Sequence, residues 1–326
     1  MLRLILICRL APLHALRCAV GVLWLMSSAV LASTEMQARE GLASLDPVEP
    51  YLEQQAIATS IPRTSIDVKV LVYSEFLDIA LGQVNTSVPC YEQDLLGWPH
   101  IANMEFALLC HALHAGGLDV NYELVPVPTQ VRAIQQLDRG TFAIFGHAAW
   151  GYLDSERVYA SSPVMPKGDF EKGLYISSTN AWSGASFKSL QDLRQLTAAV
   201  GSTWKVDRDL LDCLGFRQQY AVRYPQLLTM VNTHQADFLL QNFMGGDSLE
   251  QYLFGTTLMP IKGYKVILPD SLHFYVSRTH PKSERLIDAL ERGLKVLREA
   301  GDIKAAYQSA GFYNPQTVDW TKLMCE

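Results

Sequence analysis

The sequence predicts an α/β protein with two lobes, each a mainly parallel sheet flanked by helices. Three observations lead to this prediction. The chain has 326 residues, of which 49% are hydrophobic and 18% charged, enough to bury two cores. Predicted strands and helices alternate along it, and a segment with two prolines and a glycine, residues 162–168, interrupts the alternation. We therefore expect one lobe before this segment and another after it.

The first 32 residues have the features of a cleaved secretion signal. Arginines at positions 3, 9 and 17 lead into an apolar run, residues 18–31, and Val30-Leu31-Ala32 is a small-residue pattern that suits a signal peptidase. An uncleaved anchor is the alternative, but polar residues interrupt the leader, and a membrane span needs about 20 continuous apolar residues. Loss of the three arginines changes the formal charge from −6 to −9, which argues against a nucleic-acid partner.

Four cysteines remain after the leader, namely Cys90, Cys110, Cys213 and Cys325. In an exported chain they allow three pairings, and the sequence does not choose among them. We expect one bridge rather than two and Cys213 to be one of the two free thiols, because the other three cysteines fall in the same predicted lobe. Their spacing gives no metal-site signature, and two histidines near Cys110 are more typical of a solvated helix flank than of metal ligands. We expect neither a metal nor a cofactor.

Residues 33–65 are polar, contain three prolines and lack a sustained period, as is typical of an N-terminal arm or linker. Three predicted strands separated by two predicted helices follow. They are the strands Val68–Tyr73, Val120–Val125 and Phe142–Phe145 and the helices Ile101–Ala115 and Thr129–Leu137. A β-α-β-α-β order gives a parallel sheet, whose ligands bind beyond the carboxyl ends of the strands. Those ends are Ser74–Phe76, Pro126–Thr129 and Gly146–His147, and we expect His147 to bond a backbone group rather than act as a base.

A second alternation of strands and helices begins after Gly168. Its strands are Leu174–Ser177, Ala198–Val200, Gln218–Val222 and Asp237–Leu240, followed by Val266–Leu268, His273–Val276 and the helices Ser283–Ala300 and Asp302–Gly311. The segment Gly201-Ser202-Thr203-Trp204 lies between the strand Ala198–Val200 and the predicted helix that follows it. Free backbone amides at a helix start suit a carboxylate or a phosphate, and simple capping is an equally good explanation.

Five segments in this order resemble the periplasmic solute-binding proteins of ABC importers, family 3 type. They are PVPTQVRAIQQLDRG, SERVYASSPV, SLQDLRQLTAAVGSTW, HQADFLLQN and LREAGDIKAAYQSAGF. The resemblance covers about Val68 to Phe312 and implies a two-lobed, type 2 periplasmic-binding-protein fold. It places two hinge strands near Lys167–Glu171 and Val266–Ser271. Lobe 1 would comprise residues 66–167 and 271–326, and lobe 2 residues 168–270.

The resemblance also implies a periplasmic protein that captures a small polar, carboxylate-bearing, amino-acid-like solute between its lobes. It implies delivery to an ABC transporter permease or a sensor, and we expect a monomer. In the family's amino-acid binders the arginine matching Arg157 pairs with the ligand carboxylate, helped by amides matching Ser202 and Thr203. Arg132 is the competing candidate. The remaining ligand-binding candidates are Glu75, Phe76, Trp98, Trp204 and Asn242.

Two departures from the family bear on the ligand and the activity. Gln241 and Asn242 stand where the family's amino-acid binders have the acid that holds the α-ammonium group, so an ordinary α-amino acid is a poorer match. The alternative function is a periplasmic enzyme on the same fold, resembling cyclohexadienyl dehydratase, with Glu75 as general acid. The sequence lacks a nucleophile elbow, an HExxH motif, a P-loop and a paired-cysteine metal motif, which favours binding over catalysis.

Overall fold

The computed structural model of the protein describes residues 63–74, 89–98, 101–180, 182, 186–244 and 248–325. The predicted leader, most of the predicted arm, and the candidates Glu75 and Phe76 lie outside these ranges. Within them, strands and helices form two large sheets with helical layers. In the same ranges no helix combines the length and the apolar character that crossing a membrane requires.

The first lobe is built on a five-stranded sheet. Its strands, numbered along the chain, are β1 (Thr64–Tyr73), β2 (Leu118–Val127), β3 (Ile144–Phe145), β5 (Val158–Ala160) and β13 (Tyr275–Ser277). Their spatial order is β2-β1-β3-β13-β5, with β1, β2 and β3 parallel and β13 antiparallel to both of its neighbours. β1 begins at Thr64, so the predicted arm ends two residues earlier than expected.

Helices pack around this first sheet. They are α1 (Ile101–Ala115), α2 (Gln130–Asp138), α6 (Ser283–Ala300) and α7 (Asp302–Ser309). Thr129 caps α2, since its hydroxyl accepts a hydrogen bond of 3.3 Å from the amide of Arg132. α1 and α6 approach so closely that a Cβ atom on Gly293 would lie 1.6 Å from the carbonyl oxygen of Ala112. Only a glycine fits at this contact.

The second lobe is built on a seven-stranded sheet. Its strands are β6 (Glu171–Ser177), β7 (Thr197–Gly201), β8 (Arg217–Ala221), β9 (Phe238–Gln241), β10 (Gln251–Leu253), β11 (Thr256–Ile267) and β14 (Thr321–Leu323). The order is β10-β11-β6-β9-β7-β8, and β14 pairs with β11. β7 runs parallel to β8 and β9, whereas β6 is antiparallel to β9 and β11.

Helices cover both faces of this second sheet. They are α3 (Leu190–Leu193), α4 (Lys205–Cys213) and α5 (Tyr224–Asn232). Every residue of β6 is buried, as expected for a central strand with cover on both sides. Ser189 caps α3, because its hydroxyl accepts from the amide of Asp192 at 3.2 Å.

The two sheets share one plan, which confirms the predicted two-lobed architecture. In the first sheet the parallel strands lie in the order β2-β1-β3, and antiparallel β13 lies next to β3. In the second sheet they lie in the order β8-β7-β9, and antiparallel β6 lies next to β9. In each sheet this antiparallel strand follows a crossing of the chain from the other lobe. The crossing segments, residues 161–170 and 268–271, run side by side. The amide of Leu272 donates to the carbonyl of Met165 at 2.9 Å, and that of Leu268 donates to Phe170 at 2.9 Å. A short pair, β4 (Ala149–Trp150) with β12 (Leu272–His273), extends this junction.

The C-terminal tail makes a third connection between the lobes. After α7 the chain leaves the first lobe, and the side-chain amide of Asn314 donates to the carbonyl of Met244 at 3.2 Å. β14 then pairs with β11 of the second sheet. The prediction that residues 271–326 lie wholly in lobe 1 is therefore wrong for the end of the tail, where a three-residue strand gives no period to read.

Two disulfide bridges are present, where one was expected. Cys90 pairs with Cys110 at the start of the first lobe, and Cys213 in α4 pairs with Cys325 after β14. The prediction of a free Cys213 is wrong because it depended on placing Cys325 in the first lobe. The second bridge fastens the tail covalently to the helix that follows β7.

Candidate functional site

A cavity of about 250 Å³ lies between the two lobes. Its lining combines a 3-10 turn of the first lobe (Gly151–Leu153), the start of α4 in the second lobe and the second crossing segment. The lining residues are Tyr152, Lys205, Val206, Asp209, Pro269 and Asp270. Because both lobes and their junction contribute, a hinge motion would open this interlobe cavity and close it again.

The wall from the first lobe and the second crossing is held by hydrogen bonds. The carboxylate of Asp270 accepts from the backbone amides of Tyr152 at 3.1 Å and of Ser271 at 2.8 Å. Burial, followed by the nearby carboxylates of Asp270 and Asp209, raises the pKa of Tyr152 above its ordinary value. The phenol therefore stays neutral at physiological pH and offers a hydroxyl donor.

The opposite wall is the first turn of α4. Lys205 forms an ion pair with Asp209 one turn later, and its ammonium lies 5.9 Å from the centre of the Tyr152 ring across the cavity. A cation at this distance from an aromatic face is attracted to it. Lys205 and Asp209 both keep about half of their side-chain surface exposed, at 51% and 54%. The cavity thus presents one ammonium group that is accessible to a solute.

A buried ion pair stabilises the first turn of α4. Lys172, near the start of β6, places its ammonium 2.5 Å from the carboxylate of Asp207 and 5.5 Å from the centre of the Trp204 ring. The indole lies back over the end of β7, where Gly201 leaves room for it: a Cβ atom there would be 2.6 Å from the ring. The pair and the glycine fix the orientation of Trp204 and of the first turn of α4.

The predicted role of the Ser202 amide does not fit the structure. That amide donates to the carbonyl of Ala221 at 2.8 Å, and the carbonyl of Ser202 accepts from Arg208 at 2.9 Å. Its backbone is thus committed to joining β7, β8 and α4. Thr203 is exposed beside the cavity-lining Lys205, and its part in binding stays a prediction.

The two candidate arginines lie at opposite ends of the first sheet. Arg132 is exposed in the first turn of α2, just beyond the carboxyl end of β2. Arg157 precedes β5, which runs parallel to β3, so Arg157 lies at the amino end of the sheet, where its carbonyl accepts from the amide of Arg278 at 2.9 Å. This placement contradicts the expectation that Arg157 faces the cleft. β4 and a 3-10 turn lie between Gly146 and Arg157, and after them the chain enters β5 from the amino end of the sheet.

Two other candidates, Trp98 and Asn242, differ in their local contacts. The indole N–H of Trp98 donates to the carbonyl of Asp94 at 2.6 Å. Asn242 follows β9 and is half-buried, and within the described ranges its side-chain oxygen is buried without a hydrogen-bond partner. Neighbouring Gln241 accepts from the hydroxyl of Tyr224 at 2.9 Å and donates to Gln251 at 3.2 Å. Ligand contact by Trp98 and Asn242 remains a prediction.

A buried polar cluster lies behind the end of β3. Burial raises the pKa of Glu105 to about 8, although its carboxyl group accepts from the amide of Ala148 at 3.2 Å and from the hydroxyl of Tyr307 at 3.3 Å. Burial lowers the pKa of His147 to about 3 despite its contact of 3.1 Å with the carbonyl of Ala102. The predicted backbone contact of His147 is present, and both groups are neutral near pH 7.

None of the residues that line the interlobe cavity was among the sequence candidates. Tyr152, Asp209 and Asp270 are far apart in the sequence, and only the crossings bring them together. A signal existed for Lys205, because it directly follows the Gly201-Ser202-Thr203-Trp204 segment. Two larger hollows, of about 500 and 490 Å³, are each lined by the first lobe alone, so closure of the lobes would not enclose a solute there.

Comparison with known proteins gives solved structures only. No family model and no curated protein matches the chain. The chain is similar to the periplasmic VFT2 domain of BvgS from Bordetella pertussis, at 16% identity over 79% of this chain and 97% of that one, with a TM-score of 0.49. It is also similar to substrate binding domain 2 of GlnP from Lactococcus lactis in open conformation, at 14% identity over 75% of this chain and 94% of that one, with a TM-score of 0.45. A third similar structure is an ancestral arginine-binding protein bound to arginine, at 12% identity over 75% of this chain and 97% of that one, with a TM-score of 0.45. Likenesses at these TM-scores carry no functional argument, and the two-lobed fold follows from the strand order and crossings of this chain.

Proposed function

We propose that the chain is a periplasmic solute-binding protein that captures a small polar, carboxylate-bearing solute between its lobes. The interlobe cavity carries this proposal, because its walls come from both lobes and from the crossing that joins them. A solute that contacts both walls binds best when the lobes are closed, and it therefore shifts the population toward closure. At about 250 Å³ the cavity is smaller than a typical drug-sized pocket of about 300–1,000 Å³, which suits a small solute.

Two donors at the cavity, an ammonium and a phenol, can bind an anionic group of the solute, although the lining also carries the carboxylates of Asp209 and Asp270. Lys205 offers an accessible ammonium at the positive end of α4, and the hydroxyl of Tyr152 offers a further donor. Arg132 adds a guanidinium at the carboxyl edge of the first sheet, and no hydrogen bond or ion pair of this guanidinium is found within the described ranges. Arg132 therefore replaces Arg157 as the candidate arginine in this proposal.

Export to the periplasm and delivery to an ABC importer complete the proposal. Two disulfide bridges favour an oxidising compartment, in agreement with the leader at residues 1–32. A closed two-lobed form differs from the open form in its outer surface, so an importer can recognise the loaded protein. We expect a monomer, because one chain supplies both walls of the cavity.

A thermal-shift screen of small carboxylates followed by calorimetry tests this function, because a specific ligand raises the melting temperature. We expect Lys205→Met to weaken the binding of a hit by about 10- to 100-fold, the range for a hydrogen bond to a charged group. Lys188→Met, an exposed lysine before α3, is the matched control. Unchanged affinity in Lys205→Met would refute this site, and consumption of the solute, followed by NMR, would favour the enzyme instead.

A further inference from the structure

A row of three aromatic rings runs along the rim of the second lobe. Trp204, Tyr224 and Phe254 are spaced by 6.2 Å between the first two ring centres and 6.2 Å between the last two. Trp204 and Tyr224 each come three residues after the carboxyl end of a parallel strand, β7 ending at Gly201 and β8 at Ala221. The inner end of the row lies against the buried Lys172, and Phe254 at the outer end is 68% exposed. We call these three residues the aromatic row.

The outer ring occupies a position that its own backbone disfavours. Phe254 and Gly255 form the two-residue turn between β10 and β11, and both have left-handed backbones, with φ of 47° and 80°. Turns of this kind favour Asn-Gly or Asp-Gly, whereas a bulky side chain at positive φ is strained. An exposed phenylalanine therefore gains nothing from the turn itself, and residues that break a local rule in this way tend to mark functional positions.

A series of hydrogen bonds through side-chain amides fixes Tyr224, the middle residue of the row. The hydroxyl of Tyr224 donates to Gln241, Gln241 donates to Gln251, and Gln251 donates to the carbonyl of Asn242 at 2.8 Å. These hydrogen bonds and the packing of Trp204 on Gly201 fix the rings of Tyr224 and Trp204 near the strand ends before a solute binds. A site whose rings are already oriented loses little entropy on binding.

We propose that the aromatic row is a second subsite, which holds a planar, unsaturated ring of the solute. This inference rests on the proposed function and narrows it: the solute is a small carboxylate that carries an aromatic ring. Lys205 at the start of α4 binds the carboxylate, and the ring lies along the neighbouring row. Aromatic faces favour flat π systems over saturated rings of similar size.

Matched pairs of probes test the subsite. Affinities of the full mature chain are measured by calorimetry for benzoate against cyclohexanecarboxylate and for phenylacetate against cyclohexylacetate. Within each pair the charge and the carbon count are equal, and only the ring differs. We expect the aromatic member to bind more tightly by about 2- to 10-fold, as one or two ring contacts allow. Equal affinities within both pairs would overturn the subsite.

Phe254→Asn separates a binding role from a structural one. Asparagine suits the turn better than phenylalanine, so we expect the melting temperature to stay the same or rise. The preference for the aromatic probes should fall by about 2- to 5-fold, since one of the ring contacts is lost. Tyr252→Ser, on the same hairpin and 74% exposed, is the control and should leave the preference unchanged. A preserved preference in Phe254→Asn would remove Phe254 from the subsite and overturn the row as proposed.

Failure of this inference can be told apart from failure of the proposed function. If saturated and aromatic carboxylates bind equally and Lys205→Met weakens both, the solute-binding function stands and the aromatic subsite falls. If no carboxylate in the screen binds, the proposed function falls and the subsite falls with it.

Discussion

The ammonium of Lys172 and the carboxylate of Asp207 lie 2.5 Å apart and join the start of β6 to the first turn of α4. Only 10% and 3% of these side chains are exposed, so neither charge is well solvated. A buried charge that loses its partner costs far more than the pair contributes when it is intact. The same turn of α4 lines the interlobe cavity, so the pair links the crossing to the site.

We expect Asp207→Asn to lower the free energy of unfolding by about 3–5 kcal/mol, because it leaves the Lys172 ammonium buried without a counter-charge. The double variant Lys172→Met with Asp207→Leu removes both charges and should cost much less. Urea unfolding of the three proteins measures the difference. If the single variant were no less stable than the double variant, the pair would not be desolvated as described.

The buried Glu105 makes stability depend on pH. Its folded-state pKa of about 8 is above the ordinary value of 4.5, because burial disfavours the charged form. The stability that it contributes is complete below the unfolded-state pKa and is lost as the pH rises through the folded-state pKa. We expect Glu105→Gln to flatten the fall in unfolding free energy between about pH 5 and pH 8, and to be the more stable protein at about pH 9.

Thermal unfolding from about pH 5 to pH 9 checks this prediction, with Glu284→Gln on the exposed side of α6 as control. Parallel curves for the parent and Glu105→Gln would show that Glu105 does not change its protonation over this range in the folded protein.

The two disulfides should differ in what they contribute. Cys213 and Cys325 are 112 residues apart in sequence, whereas Cys90 and Cys110 are separated by 20. In the chain-entropy account, a longer closed loop restricts the unfolded chain more, giving about 3 kcal/mol for a short loop and about 4–5 kcal/mol for one of about 100 residues. We expect alanine replacement of the tail bridge to cost more than replacement of the other. Unfolding under non-reducing conditions measures both, and the reverse order would show that the tail is not held to the second lobe in the way described.

Local patterns predicted much of the fold. α1 and α6 were located to the residue, because their apolar spacing is regular and a glycine follows each of them. The β10–β11 hairpin was not predicted, since its turn has Phe254 where an asparagine or aspartate would have been the signal. β14 was missed because three residues are too few to show a period. These are elements that tertiary pairing, rather than local preference, determines.

The site was harder to predict than the fold. Trp204 follows a strand end, so its position at the rim could be read from the order of elements. Tyr152 and Asp270 belong to turns without a motif, and they meet only because the second crossing returns beside residues 151–153. The prediction for Arg157 was wrong because β4 and a 3-10 turn, which the sequence pattern did not reveal, lie between β3 and β5, and Arg157 precedes β5 at the amino end of the sheet.

The contact between α1 and α6 gives a prediction in which two effects have opposite signs. In an isolated helix, Gly→Ala is stabilising by about 1 kcal/mol, because glycine loses more backbone entropy on folding. At Gly293, however, the new Cβ atom would lie 1.6 Å from the carbonyl oxygen of Ala112, a backbone atom that cannot turn aside. We expect the clash to outweigh the gain, since overpacking in a tight core costs about 1–3 kcal/mol and here the two helices must separate. Thermal and urea unfolding of Gly293→Ala measure the result, with Lys295→Ala on the exposed face of the same helix as control. A more stable Gly293→Ala variant would mean that α1 and α6 do not touch through this glycine.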